Sequence, residues 1–133
     1  MTATKDDGTT EGPRVLTYEA VHHLKGRPVL PRVVVIHCTD GPEKPGTARA
    51  LAQWVAGQFV FNGQLQHAPV AVAHWYVDAI ETYQVVDERD VCWHAPGCND
   101  EGIGIEIVGL ASQTREQWLD AASLPALTRA AGV

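Results

Sequence analysis

The chain has 133 residues, of which 45% are hydrophobic and 20% are charged, and this is the composition of an ordinary globular protein with one domain. Its formal net charge is −6 and its ten basic residues are scattered along the sequence, so we expect no nucleic-acid partner. No apolar run approaches the ~20 residues that a membrane-spanning helix needs, so we expect no membrane partner either.

The N-terminal segment MTATKDDGTTEGP is polar and has no apolar stretch after its charges, so it is not a secretory signal. We therefore predict a flexible tail over residues 1–13, followed by one domain over residues 14–133. Three cysteines allow at most one disulfide, which differs from a secreted disulfide scaffold. The expected compartment at synthesis is the cytoplasm, and the expected state is a monomer.

The first predicted elements are a strand, a loop and a helix. The run VVVI (33–36) is β-branched and apolar, which predicts a central strand buried on both faces. His37 stands at its C-terminal end, where the glycines and prolines of GPEKPG (41–46) break the strand. Thr47 is expected to cap the helix that follows, which has apolar residues at helical spacing: Ala48, Leu51, Ala52, Val55 and Phe59.

Further strands are predicted in the middle of the chain. The β-rich segments APVAVAHWYVD (68–78) and ETYQVVD (81–87) are separated by two residues, which predicts a hairpin or two adjacent strands. Turn residues fill 95–102. The segment IGIEIVG (103–109) then alternates strictly, with isoleucines on one face and Glu106 among small residues on the other.

The C-terminal part predicts helices. Thr114 and Gln117 have the spacing of a capping box, and Ser123 with Pro125 predicts the start of another helix, since proline is tolerated in a first turn.

Glu106 is unusual for its position. A carboxyl group between two isoleucines is costly to bury unless it is paired, hydrogen-bonded or protonated. Burial also raises the pKa of a carboxyl group towards the range that suits a general base. The alternative interpretation is a glutamate of an edge strand that faces water.

The loop CWHAPGC (92–98) contains three residues that can bind a metal: Cys92, His94 and Cys98. A structural zinc site needs four ligands, so Cys38 or His37 would have to supply the fourth. A disulfide between the two cysteines is a second possibility. A buried thiol with an ordinary loop cysteine is favoured over both.

His37 is a candidate site residue because ligands and catalysis in open α/β sheets gather outside the carboxyl ends of strands. A satisfied core histidine is the alternative. Together His37, His94 and Glu106 offer the parts of metal-assisted hydrolysis, namely a metal ligand, a polar group near the substrate and a general base. A nucleophilic Cys38 paired with His37 is disfavoured, because adjacent strand residues point to opposite faces. A Ser/His/Asp triad lacks its G-x-S-x-G elbow.

Taken in order, the motifs VVVIHCTDG, VAVAHWYVD, VCWHAPGCND and EGIGIEIVG resemble those of the zinc-dependent N-acetylmuramoyl-L-alanine amidase family. This family includes phage lysozyme-type amidases (endolysins), bacterial muropeptide-recycling amidases and animal peptidoglycan recognition proteins. The resemblance spans roughly residues 30–132, and four ordered motifs are far more specific than any one of them.

The resemblance implies an α/β fold with a central mixed β-sheet flanked by helices, and a groove that binds a muramyl peptide of peptidoglycan. The implied reaction is hydrolysis of the amide between N-acetylmuramic acid and L-alanine, with a zinc cofactor. His37 matches the first zinc ligand and Glu106 the catalytic base. His94 matches a substrate-binding histidine of the groove. Trp93 and Asn99, which shape the same loop, are also expected to bind the substrate.

The sequence departs from the family in two places. Some members have a tyrosine where this chain has Ala73, which places the base role more heavily on Glu106, while the neighbouring His74 matches a position for which packing is the expected role. The family also supplies two C-terminal zinc ligands, a histidine and then a cysteine or aspartate, whereas no histidine follows His94 and no cysteine follows Cys98. The fold is therefore expected to lack the family's last strand and its ligand segment.

Three accounts of the missing ligands remain open: a truncated amidase domain, a relative that binds peptidoglycan without hydrolysing it, or substitute ligands such as Cys38, Cys92 or another histidine. We expect a peptidoglycan hydrolase, with a non-catalytic muropeptide-binding domain as the alternative. A phage lysin acting on the cell wall and a recycling enzyme both fit a chain without a signal segment.

Overall fold

A computed structural model provides the structure of this protein and describes residues 16–133, so the predicted tail over residues 1–13 lies outside the described residues. The strands are β1 (Val33–Cys38), β2 (Val60–Phe61), β3 (Gln64–Leu65), β4 (Trp75–Val77), β5 (Thr82–Gln84) and β6 (Gly102–Ile107). The helices are α1 (Thr47–Val55), α2 (Arg115–Trp118) and α3 (Leu124–Ala131).

Four of the strands form one mixed sheet in the order β1-β6-β4-β5, and helices flank it, as expected. β6 runs parallel to both β1 and β4, while β5 is antiparallel to β4 and forms the predicted hairpin with it. Because β6 lies between two strands, Glu106 does not belong to an edge strand, and that alternative is wrong. The short strands β2 and β3 form a separate hairpin.

The two faces of the sheet have separate hydrophobic clusters. On one face α1 packs over β4 and β5, and the buried residues there include Ala48, Ala52, Val55, Tyr76 and Val85. On the other face α3 packs over β6 and β4, and the buried residues are Val77, Ile105, Ile107, Ala126 and Ala130. The alternation predicted for 103–109 therefore assigns the isoleucines to the α3 face and Glu106 to the α1 face.

The prediction that β1 is a central strand buried on both faces is wrong. β1 is the edge strand of the sheet, and Val34 and Ile36 are 60% and 57% exposed. α3 covers β6 and β4 and leaves these two side chains open to solvent. A β-branched run therefore indicates a strand but not its place in the sheet, because burial depends on what packs against it.

The predicted cap of α1 is also wrong. The N-cap residue is Gly46, whose φ of 87° favours glycine, and Thr47 is already helical. The hydrogen bonds that a cap would provide come instead from Asp78, whose Oδ2 accepts from the backbone N–H groups of Gly46 and Ala48, each at 3.0 Å. Phe59 lies beyond the end of the helix at Val55.

Asp78 also organises the turn between β4 and β5. Its Oδ1 accepts from the N–H groups of Ile80 and Glu81, at 2.9 and 2.8 Å. The side chain is buried, so one carboxyl group joins the β4–β5 hairpin to the start of α1 by four hydrogen bonds.

The C-terminal helices begin as predicted. Thr114 and Gln117 form a capping box at α2, and α3 follows Ser123 with Pro125 in its first turn. Within the described part of the chain, no helix has the length and apolar character needed to cross a membrane.

We expect Asp78→Ala to lower the free energy of unfolding by about 3 kcal/mol or more, because it leaves four N–H groups without their acceptor, each worth about 1–3 kcal/mol when buried. Denaturant unfolding measures this change. Asp120→Ala is the matched control, since exposed Asp120 accepts from only two N–H groups, those of Ala122 and Ser123. Equal losses in the two variants would contradict the role given to Asp78.

Candidate functional site

The strand register places three polar side chains in a row on the α1 face of the sheet. Glu106 on β6 is the partner of His37 on β1 and of Tyr76 on β4, and paired residues of adjacent strands point to the same side. Tyr76 is buried and its hydroxyl accepts from the N–H of Ala73 at 3.3 Å. The sequence-predicted metal ligand His37 and the predicted base Glu106 are therefore neighbours.

Glu106 is half-buried in this row. Its Oε2 is buried and has no hydrogen-bond partner among the described residues. Burial raises the pKa of Glu106 from the ordinary 4.5 to about 7. A carboxyl group with this pKa exchanges a proton readily near neutral pH, which is what a general base requires.

His94 lies against β6 because two glycines leave room for its ring. A Cβ atom at Gly104 would stand 2.7 Å from Cγ and Nδ1 of His94, and one at Gly102 would stand 3.2 Å from its Cε1. Any larger side chain at Gly104 must therefore displace the imidazole. The face of β6 that contains Glu106 thus has glycines at two positions, and His94 from another segment packs over them.

His94 is also in contact with His37. The distance between His37 Nε2 and His94 Nδ1 is 3.1 Å, and the two rings meet edge to face with centroids 5.4 Å apart. Burial lowers the pKa of both histidines, which favours their uncharged forms. The structure therefore brings together the three residues His37, His94 and Glu106 of the predicted constellation.

Asn99 and Trp93, the other two predicted substrate-binding residues, differ in whether their side chains are used within the protein. Asn99 Oδ1 accepts from the N–H groups of His94 and Ala95, at 2.9 and 2.8 Å, so its side chain holds the loop together from within. Trp93 is 41% exposed and can offer its ring to a ligand. The structure thus places Asn99 as a loop-shaping residue and leaves Trp93 at the surface.

His74 is fully buried and its ring packs edge to face on His94, with centroids 5.7 Å apart. Its Nδ1 accepts from the N–H of Gly104 at 3.1 Å, and its Nε2 donates to the carbonyl of Asp90 at 3.1 Å. Burial lowers its pKa to about 4, and the nearby Arg27 guanidinium adds to the effect. A neutral, doubly hydrogen-bonded His74 agrees with the packing role expected for it.

One group of potential metal ligands occurs in residues 16–133, namely His74, Cys92 and His94, whose ligand atoms lie within 4.8 Å of one another. These residues do not fit a metal as they stand. The Nδ1 lone pair of His74 is used by the N–H of Gly104, and burial raises the pKa of the Cys92 thiol to about 12. Cys92 and Cys98 are both free thiols, so the disulfide considered from the sequence is absent.

The zinc site predicted at His37 can be examined in the same way, by counting the ligands that surround it. A catalytic zinc normally has three protein ligands and a water molecule. In residues 16–133 no group of three potential ligands includes His37. The described residues therefore supply one ligand but do not complete a zinc site, in agreement with the absence of the C-terminal ligands from the sequence.

Sequence reasoning missed two residues next to this site. Tyr76 flanks Glu106, and only the register of β4 against β6 could have shown it. Arg27 donates to four backbone carbonyls, those of Glu88, Asn99, Asp100 and Gly102. In the sequence it is an ordinary basic residue between a glycine and a proline. No local pattern distinguishes either one.

Comparisons with known proteins agree with this geometry. A family model described as N-acetylmuramoyl-L-alanine amidase matches residues 25–132. Among solved structures, the chain is similar to a selenomethionine derivative of AmpD, with a TM-score of 0.54 and 23% identity over 85% of this chain and 70% of that one. It is also similar to PlyL, with a TM-score of 0.51 and 17% identity over 86% of this chain and 60% of that one. No curated protein matches.

The chain therefore spans less than two thirds of PlyL and somewhat more of AmpD. At these identities the two structures establish the shared fold, a central mixed sheet with flanking helices.

Gly104→Ala is expected to displace His94 from the sheet and to lower the free energy of unfolding by about 1–3 kcal/mol, the usual cost of overpacking. A crystal structure of the variant and its denaturant unfolding check the two effects. Gly41→Ala is the control, because its Cβ would meet only Thr39 Oγ1, at 3.8 Å. An unmoved His94 ring in Gly104→Ala would refute the packing argument.

We expect the raised pKa of Glu106 to make the free energy of unfolding depend on pH. Since its folded pKa of about 7 exceeds the ordinary 4.5, the unfolded state ionises first as the pH rises. Wild-type stability should therefore fall between about pH 4.5 and about pH 7 relative to Glu106→Gln, by about 1–2 kcal/mol after allowing for partial exposure. Unfolding measured against pH tests this, with exposed Glu116→Gln as control. A constant difference between wild type and Glu106→Gln at all pH values would contradict the buried-acid description.

Proposed function

The chain belongs to the N-acetylmuramoyl-L-alanine amidase family, and from this membership we propose that it hydrolyses the amide bond between N-acetylmuramic acid and the L-alanine of the stem peptide. The substrate is peptidoglycan or a soluble muropeptide derived from it. The reaction class is transfer of an acyl group from an amide nitrogen to water.

The single observation that supports this function most is the state of Glu106. Hydrolysis of an amide needs a group that takes a proton from the attacking water, and Glu106 has a buried oxygen without a partner and a pKa of about 7. It stands opposite His37 at the C-terminal ends of two parallel strands, where ligands of α/β sheets bind.

The neighbouring residues have complementary roles in the proposal. Glu106 accepts a proton from water as that water attacks the lactyl carbonyl carbon, and it returns the proton to the leaving amine of L-alanine. Nδ1 of His37, which has no partner among residues 16–133, can exchange a hydrogen bond with the amide or the sugar, and the ring of His94 lies beside it and bonds to Nε2 of His37. Trp93, exposed beside His94, offers an apolar surface to the muramyl group.

Zinc enters the proposal only as the family's cofactor, with His37 as its one ligand in the described residues. When bound by a full ligand set, zinc polarises the carbonyl and lowers the pKa of water. Because residues 16–133 do not complete such a set, no step above depends on the metal.

The incomplete ligand set also favours a second candidate function, binding of muropeptides without hydrolysis. In that case His94 and Trp93 recognise the ligand, and Glu106 contributes a hydrogen bond in place of proton transfer. The two candidates differ in one observable, the release of free L-alanine amino termini from a muropeptide that the protein binds.

We expect wild-type protein supplied with zinc to release L-alanine amino termini from an N-acetylmuramoyl peptide, and Glu106→Gln to lower kcat about 10²- to 10⁴-fold, the usual contribution of a general base. The activity kcat/KM should increase with pH up to about 7 and then level off, because Glu106 must be deprotonated to act. A coupled amine assay across this pH range measures both effects.

Glu116→Gln, which changes an exposed acid on α2, is the control and should keep wild-type turnover. Saturable muropeptide binding without amine release, unchanged by added zinc, would support the binding function and reject the hydrolase. Turnover that survives Glu106→Gln would reject Glu106 as the base.

A further inference from the structure

Arg27, in the part of the chain that the structure describes, bonds to several backbone carbonyls outside the row formed by His37, Glu106 and Tyr76. Its Nε donates to the carbonyl of Glu88 at 2.6 Å, Nη1 to that of Asp100 at 2.8 Å and Nη2 to that of Gly102 at 3.1 Å. Nη2 also lies 2.9 Å from Nε2 of His74, but both nitrogens have protons, so this contact is not a hydrogen bond. A planar guanidinium with fixed donor directions is suited to holding several carbonyls in one arrangement, which a lysine ammonium cannot do.

The carbonyl of Gly102 is shared between Arg27 and His94. Nε2 of His94 lies 3.4 Å from this oxygen, and a carbonyl oxygen can only accept, so the proton of neutral His94 belongs on Nε2. Nδ1 then has the lone pair, and it faces Nε2 of His37 at 3.1 Å. His37 therefore donates to His94, and the remaining nitrogen of His37, Nδ1, has no partner among residues 16–133.

His74 fixes the same segment of β6 through a hydrogen bond to Gly104. Gly104 lies on the central strand, and its N–H points to the side of β4, which begins only at Trp75. Nδ1 of His74 accepts from this N–H and so replaces the missing backbone partner. The strand segment on which His94 rests is thereby fixed at Gly102 by Arg27 and at Gly104 by His74.

From these contacts we infer that Arg27 is a positioning residue for His94: by holding the Gly102 carbonyl it selects the Nε2–H tautomer of His94 and so directs the Nδ1 lone pair to His37. The consequence for binding or catalysis rests on the proposed function. The tautomer does not, because it follows from the contacts within the protein alone.

The test is long-range ¹H–¹⁵N NMR of the histidine side chains in the full chain, which distinguishes the two neutral tautomers. His94→Gln assigns the signals. Wild-type His94 is expected as the Nε2–H tautomer. Arg27→Gln should give a mixture of tautomers at His94, and so should Arg27→Lys, which keeps the charge but not the fork of donors. Arg89→Lys is the matched control, since the Arg89 guanidinium pairs with Asp87 and should leave His94 unchanged.

Thermal unfolding and circular dichroism establish that each variant is folded. If Arg27→Gln does not fold, Arg27→Lys decides, because it retains the aliphatic stem and the charge. An Nδ1–H tautomer of His94 in the wild type overturns the inference without any variant, and so does a folded Arg27 variant with an unaltered His94 tautomer.

Muropeptide affinity or turnover provides the second readout, and we expect a loss of about 10- to 100-fold in the Arg27 variants, as for other residues that orient a functional histidine. The two proposals fail separately. A protein with the expected tautomers that neither binds nor hydrolyses muropeptides keeps the positioning role of Arg27 and loses the proposed function. Hydrolysis by a protein with His94 as Nδ1–H keeps the function and rejects the positioning role.

Discussion

β1 and β6 pair in parallel with His37 opposite Glu106, and the other residues of the site take their positions from this pairing. A shift of either strand by one residue would turn one of the two side chains to the α3 face, since side chains alternate along a strand. The isoleucines of β6 prevent such a shift, because Ile105 and Ile107 are buried under α3 and could not face the other side without losing that burial. The burial of the isoleucines on one face of β6 thus fixes the position of Glu106 on the other face.

This arrangement destabilises the ionised form of Glu106, and the resulting rise in its pKa suits the carboxyl group to proton transfer. A carboxyl group on a central strand, with one oxygen buried and unpartnered, is poorly solvated when ionised, so its pKa rises to about 7. Strain or unsatisfied polar groups of this kind tend to persist where function requires them. The buried side chains of His74 and Asp78, in contrast, have hydrogen-bond partners, since each accepts from backbone N–H groups of neighbouring segments.

Much of the fold follows from local sequence patterns. The alternation of IGIEIVG placed Glu106 on the face opposite the isoleucines. The resemblance to the family implied the mixed sheet, which the structure and its similarity to AmpD confirm. The errors concern what a pattern cannot contain. The VVVI run could not reveal that β1 is an edge strand, and Thr47 could not reveal that Asp78, thirty-one residues later, caps its helix. Arg27 escaped notice because its partners are backbone carbonyls distant in sequence, which have no residue signature.

The central claim is that burial on β6 makes Glu106 a proton acceptor near neutral pH. Its most direct test is the ¹³C NMR titration of the Glu106 side-chain carboxyl, assigned with Glu106→Gln. The account predicts a midpoint near the pKa of about 7, well above the ordinary 4.5, because burial disfavours the ionised form. A midpoint at the ordinary value in the folded protein would contradict it.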